Sequence, residues 1–388
     1  GIVYPDGQGP GYSVPSQLID AVAAADSVSG FEMNNLDPNF EIPGEWKASL
    51  GATYLLDLAA PFVGGEYVLN ADFLYTRDHN AATIIRGDFE PSTPAVGGLF
   101  PQYSSPRSPN TLTLTNTDLE AESISLSFSV SREYDFGLDW VFGYAYNDAE
   151  DVNPMTSSVA FSNYTSPAFV DPNNPGIATS NYNIENRFTF LLNYETDWLV
   201  PDYYTSIGLF ALASEGRPYS YTMTSRGGGD LSGFNPFLSD SDNYLLYVPT
   251  GVSDPNVDLS GLTDVQAFFD YLDDEGLSEY GGGFAPRNGF NGGWWTKVDL
   301  RFEQELPGLM EGHRTSAFLV IDNFTNLLND EWGILREASF PRRVSVVDSR
   351  LSGDDSQFVY TNFNPETKDP VVGDASIWQI RVGVRYEF

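Results

Sequence analysis

The chain has 388 residues and sets Lys+Arg 19 against Asp+Glu 54, a formal net charge of −35. Nucleic acid is excluded as a partner, because phosphate binding needs a basic footprint, and 41% hydrophobic with 14% aromatic residues argues against disorder, the other usual meaning of so acidic a chain. Cysteine is absent, so neither a disulfide framework nor a thiolate metal site exists.

The chain opens on Gly1 with no signal peptide, and residues 1–43 are expected to be an extracellular loop segment of a processed piece or fragment. Strict alternation then begins. Trp46, Ala48, Leu50, Ala52, Tyr54 and Leu56 oppose Lys47, Ser49, Gly51 and Thr53, which a period of two places on opposite faces of a strand. The pattern returns at Tyr67–Tyr75 and at Ile124–Val130, where Ser123, Ser125, Ser127 and Ser129 fill the other face. It recurs at Leu138–Tyr146, Phe188–Tyr194, Ile207–Ala213, Val298–Phe302 and Ala317–Ile321. It closes on Trp378, Ile380, Val382, Val384, Tyr386 and Phe388, set against Gln379, Arg381, Gly383, Arg385 and Glu387. About nine strands of roughly 10 to 13 residues result, the length a tilted membrane strand needs.

No run approaches the roughly 18 to 20 apolar residues of a membrane-spanning helix. The connections alternate instead: short at Leu58–Gly65, Glu133–Gly137, Thr196–Asp202 and Pro307–Arg314, long at Asp78–Leu119, Ala149–Tyr182, Thr224–Gly293 and Asn329–Ala375. Short periplasmic turns and long extracellular loops are the habit of an outer-membrane barrel. The expected fold is therefore all-β: an antiparallel transmembrane β-barrel segment over 44–388, its last strand descending to leave Phe388 at the periplasmic rim. An odd number of strands leaves Ser376–Phe388 as an exposed edge. Trp140, Tyr144, Tyr146, Tyr194, Trp198, Trp294, Trp295 and Trp378 lie near strand ends, where a girdle would place them. Inward polar positions are Arg187, Asn193, Lys297, Asp299, Arg301, Glu303 and Arg381. One short amphipathic helix is predicted near 263–275, from a capping box at Thr263 and Gln266, an apolar face of Val265, Phe268, Phe269 and Leu272, and Gly276 just beyond.

Catalysis finds no support, and the chain is not expected to be an enzyme. The two histidines, His79 and His313, have no metal-ligand spacing, and no serine sits in a nucleophile elbow. Carboxylates cluster at Asp148, Glu150 and Asp151, at Asp240 and Asp242, at Asp273, Asp274 and Glu275, and at Asp354 and Asp355. These read as solvated loop charge, with calcium as the alternative and no other cofactor.

Five stretches resemble the TonB-dependent outer-membrane receptors, in particular the Oar-like group. They are Asp37–Phe40 with Pro43, Trp46 and Lys47; Asn186–Phe188 leading to Asn193–Glu195; Gly216–Tyr221; Asp322–Asn329; and the terminal strand ending at Phe388. The resemblance runs from about Asp37 to the end, with the long loops unmatched. It implies a 22-stranded barrel of which this chain is the C-terminal part, without the plug domain and the first strands. It implies outer-membrane lipid around the strands and the TonB complex as a partner through the missing N-terminal part. The barrel assembly machinery would read Trp378, Ile380, Val382, Val384, Tyr386 and Phe388. The implied function is ligand-gated uptake of an unidentified substrate, with Arg217, Tyr219, Tyr221, Trp294 and Trp295 as loop candidates for binding. A passive porin-like channel and a surface-adhesive barrel are the alternatives.

Overall fold

The computed structural model describes residues 32–60, 64–104, 110–225, 241–310 and 312–388; most of the segment 1–43, and Asp240, lie outside the described residues. Nine long strands form one antiparallel meander: β1 (Gly44–Leu58), β2 (Gly65–His79), β3 (Glu122–Glu133), β4 (Leu138–Asp151), β5 (Asn186–Val200), β6 (Tyr203–Ser214), β7 (Trp295–Pro307), β8 (Arg314–Asp322) and β9 (Gln379–Glu387). Each pairs with its sequence neighbours, and a two-residue strand at Ala178–Thr179 adds to β4. All nine match the predicted strands. Among the described residues the sheet stays open: β1 and β9 do not pair with each other, and each has one partner strand.

The register keeps every apolar set on one face. Leu50 stands opposite Phe73, Phe73 opposite Leu126, Leu126 opposite Tyr146, and Phe142 opposite Phe190. Phe190 then meets Ala211, Leu209 meets Leu300, Leu300 meets Ile321, and Ile321 meets Ile380. Because the side-chain period is two, a slip of one residue in any pair would invert that strand's faces. No pair slips within this band. Neighbouring rings pack along it, with Tyr144 and Phe188 centroids 4.7 Å apart. Yet the face is bare: Trp46 is 74% exposed, Val382 78% and Phe388 97%.

Along this face the residue types change with height. Trp46, Tyr75, Tyr144, Tyr146 and Trp378 lie toward the long connections, and Tyr54, Tyr67, Trp140, Tyr194 and Tyr386 toward the short turns, with Leu50, Phe73, Phe128, Leu209 and Leu300 between. Eight positions separate Trp46 from Tyr54, and Trp378 from Tyr386, about 26 Å along a strand at roughly 3.3 Å per residue.

The core lies elsewhere. Every residue of the main buried apolar cluster, from Ile84 through Phe100, Tyr164, Phe169, Tyr221, Tyr247 and Phe268 to Phe358 and Tyr360, lies in one of the four long stretches between meander strands, residues 80–121, 152–185, 215–294 and 323–378, the third of which begins before the expected Thr224. Besides two two-stranded sheets, the connections and the segment before β1 build two larger ones. One joins Glu32–Leu36, parallel, to Asn110–Asn116, which pairs antiparallel with Ala82–Arg86. The other is mixed: Pro218–Ser225 runs parallel to Arg343–Leu351, which pairs with Phe358–Thr361, which runs parallel to Val257–Gly261. Strands from different connections thus share one sheet, and the loops fold as a single assembly.

The predicted helix is present at Val265–Asp274, but Asp264 caps it, its side chain accepting from the Ala267 backbone N–H at 2.9 Å. Thr263 does not serve as cap, so the capping-box expectation is corrected by one residue. Gly276 ends the helix at φ 70, the left-handed conformation that glycine adopts at least cost. Phe268 and Leu272 are fully buried as their face requires. The ring of Phe268 packs on Tyr360 and Phe363, which arrive from the last long connection.

Candidate functional site: the polar face and the loops above it

The seven residues predicted to face inward all fall on the polar face of the meander. Arg187 stands opposite Ser214, Asn193 opposite Asp139 and Gly208, and Arg301 opposite Gly208. Charges there are paired rather than packed. Lys297 meets Asp299 at 3.0 Å, Arg301 meets Glu303, and Arg381 meets Asp322 at 2.9 Å. Asn193 donates to Asp139 at 3.1 Å and Ser206 to Glu195 at 3.2 Å. Asp139, Asn193, Glu195, Ser206, Arg301 and Glu303 line an open recess of about 440 Å³. Exposed ion pairs of this kind contribute little stability. What they provide is a hydrated surface of both signs.

Above this face the loop candidates separate. Tyr219 and Tyr221 are buried in the loop core, so neither ring is presented at a free surface. Their hydroxyls stand 3.2 Å apart, and Tyr221 donates to Glu275 at 2.7 Å; Lys368 pairs with the same Glu275 oxygen. Burial pushes the Tyr221 hydroxyl far above its ordinary range, and the bonds to Tyr219 and Glu275 push the same way. For Lys368 burial acts to lower the ammonium, but the Glu275 bond and the charges of Tyr219, Glu275 and Asp369 together outweigh it and the net shift is upward. This chain ties the strand Pro218–Ser225, the helix Val265–Asp274 and the last connection together. Trp294 stacks on Phe188 at 6.0 Å on the apolar side and is half exposed. Trp295 stands opposite Ser214, on the face of Lys297, and donates from its indole to Gly333 O at 3.2 Å. It therefore belongs to the polar face, which corrects its expected place in the girdle.

Arg217 lies where the loops meet the sheet. Its guanidinium is 5.8 Å from the Tyr182 ring centroid and 3.9 Å from Glu337, which also contacts Arg342 at 3.5 Å. Burial lowers the Arg342 pKa, and the charge of Arg217 lowers it further. Arg342, Glu337 and Tyr182 were not singled out from sequence. One signal was available: Arg342–Arg343 is the only adjacent basic pair in an acid-rich chain.

The stretches that carry the resemblance have physical reasons here. A Cβ on Gly216 would stand 2.5 Å from the Gly292 backbone, so only glycine lets the two ends of the stretch between β6 and β7 pass this closely. Gly216→Ala is expected to destabilise the chain by about 1–3 kcal/mol, read as a lowered melting temperature; an unchanged melt would refute this account of the close approach. Asn323 takes φ 53, donates its backbone N–H to the Asp299 carboxylate at 2.7 Å and donates its side-chain amide to Gly333 O and Ser376 O. Asn186 links β4 to β6, accepting from the Tyr144 hydroxyl and donating to Glu215, both at 2.8 Å.

Several members of the acidic clusters have partners within the chain. Asp354 accepts from Ser352 and Ser356, and Asp273 from Ser278. Among the described residues no three carboxylate or histidine side chains converge as a metal site would require. No protein-family model matches the chain, and no curated protein matches it.

Proposed function

We propose that the chain is part of an outer-membrane β-barrel receptor of the TonB-dependent kind, taking up a ligand through a gated lumen. One observation carries this reading: a continuous apolar face runs bare across nine strands while the buried core sits in the connections. A soluble sheet would bury that face, since exposed apolar patches beyond a few hundred Å² mark a contact surface or an aggregation hazard. Lipid is the contact that suits it. At a tilt of 35–45° the span between the aromatic rows is roughly 19–22 Å, near the ≈ 25 Å apolar band of such barrels. Tyr and Trp at its two margins match interfacial preference. Arg132 fits there too, its guanidinium 4.8 Å from the Tyr67 ring and 4.0 Å from that of Tyr134, at the short-turn margin.

On this reading the polar face lines a wet lumen, and strands outside the described meander complete the barrel between β1 and β9. The loop assembly stands on the outer side. Natural absence of cysteine makes a direct test simple. In intact outer membranes, Ser127→Cys is expected to react with a water-soluble maleimide, and Leu126→Cys only after detergent. Equal labelling of both would sink the membrane reading. Uptake that persists in cells lacking the inner-membrane energiser would remove the TonB-dependent part and leave a passive channel.

A further inference from the structure

We propose that Arg217 and Arg342 form a subsite for an anionic oxygen group of a ligand, a carboxylate or a phosphate, with Glu337 as the internal counter-ion that the ligand displaces. The topology brings the two arginines together. Pro218–Ser225 runs parallel to Arg343–Leu351 with Ser220 opposite Arg343, and the Ser220 N–H donates to Arg342 O at 3.0 Å. Arg217 and Arg342 each immediately precede one of these paired strands, so both guanidinium groups emerge at the same end of the sheet. Arg342 holds φ 67, a left-handed conformation that a non-glycine residue adopts only at some energetic cost.

Among the described residues, Glu337 is the one carboxylate that pairs with them, and it is loose. Arg217 Nε is 3.9 Å from Glu337 Oε1, and Arg342 Nη2 is 3.5 Å from Oε2, whereas charge-assisted bonds settle at about 2.7–2.9 Å. The Nε of Arg342 is buried and makes no hydrogen bond. Glu185, on the neighbouring connection, and Glu215, two residues before Arg217, are engaged by Asn291 and Asn186. Two guanidinium groups on one carboxylate leave a positive charge, in a chain with 54 acids and only 19 bases. An oxyanion offering two oxygens at normal distance would satisfy both forks better than Glu337 does. Access is from the side of Tyr182 and Arg217, whose side chains are partly exposed. Exposed Arg187, opposite Ser214, lies just below on the polar face. The proposal rests on the receptor reading only for the direction from which a ligand arrives.

The test is calorimetric titration of the full chain in detergent micelles with malonate and, separately, with inorganic phosphate. Saturable binding of either is expected, and the anion bound assigns the class. Arg217→Gln is expected to weaken it about tenfold, the loss of one charged hydrogen bond. Glu337→Gln is expected to strengthen it by a similar factor, because the internal competitor is gone. That opposite sign is what a merely structural ion pair would not produce. Arg217 is one-third exposed against one-tenth for Arg342, so its variant keeps the test open even where Arg342→Gln fails to fold; Arg350→Gln, an exposed arginine on another part of the assembly, should bind as the parent does. No binding to the parent or to Glu337→Gln, or weaker binding to Glu337→Gln, overturns the proposal. Failure of the chain to enter lipid would overturn the barrel reading while leaving the titration intact.

Discussion

Phe128→Arg is expected to abolish stable insertion of the chain into the outer membrane, while Ser127→Arg, one residue away, leaves insertion nearly unchanged. Phe128 lies in the middle of β3, opposite Ala71 on β2 and Tyr144 on β4, all on the bare apolar face. Arginine at the midplane of a barrel's lipid face costs about 2–4 kcal/mol. Ser127 stands opposite Asp72 and Ala145 on the polar face, where a charge meets water and carboxylates. Membrane flotation, with the gel shift of unheated folded barrel, separates the two outcomes. Equal loss in both variants, or in neither, would mean that the two faces do not differ in solvent.

Phe268→Ala should have the largest effect on the loop assembly. Its ring is fully buried and meets Phe269, Tyr360 and Phe363, so truncation removes apolar contact and leaves a cavity among aromatic rings. Such changes cost about 3–5 kcal/mol. Because the core belongs to the connections and not to the sheet, the damage is expected to be local. Limited proteolysis should cut the long connections readily in this variant, while the meander keeps its β-sheet circular dichroism and its membrane association. Loss of the sheet along with the loops would show that the two fold as one cooperative unit.

The meander was legible because each of its strands carries its own evidence. In β3, four serines alternate with Ile124, Leu126, Phe128 and Val130, and each pairing repeats the pattern on the next strand. The helix was legible from four apolar residues at helical spacing and a glycine stop, although two adjacent capping residues, Thr263 and Asp264, were open to confusion. The loop core was not legible. Pro218–Ser225 is buried on both faces, so it shows no alternation. Its parallel partner lies in another connection, more than a hundred residues on, and nothing local in the sequence specifies that pairing. Tyr219 and Tyr221 looked like ligand aromatics for the same reason: a buried ring and a binding ring have the same letter. The arginine subsite depends on that same non-local register, and only the Arg342–Arg343 doublet hinted at it.

The parallel pairings between connections also set a timetable. Val257–Gly261 has its partner at Phe358–Thr361, and Pro218–Ser225 has its partner at Arg343–Leu351, both inside the last connection before β9. If the strands thread through a bilayer, the mixed sheet remains unfinished until that final stretch has crossed to join the earlier ones. Until then Pro218–Ser225 and Val257–Gly261 lack their parallel partners, and the mixed sheet locks only when the connection between β8 and β9 is in place. Compaction of the outer surface becomes a signal that insertion is complete.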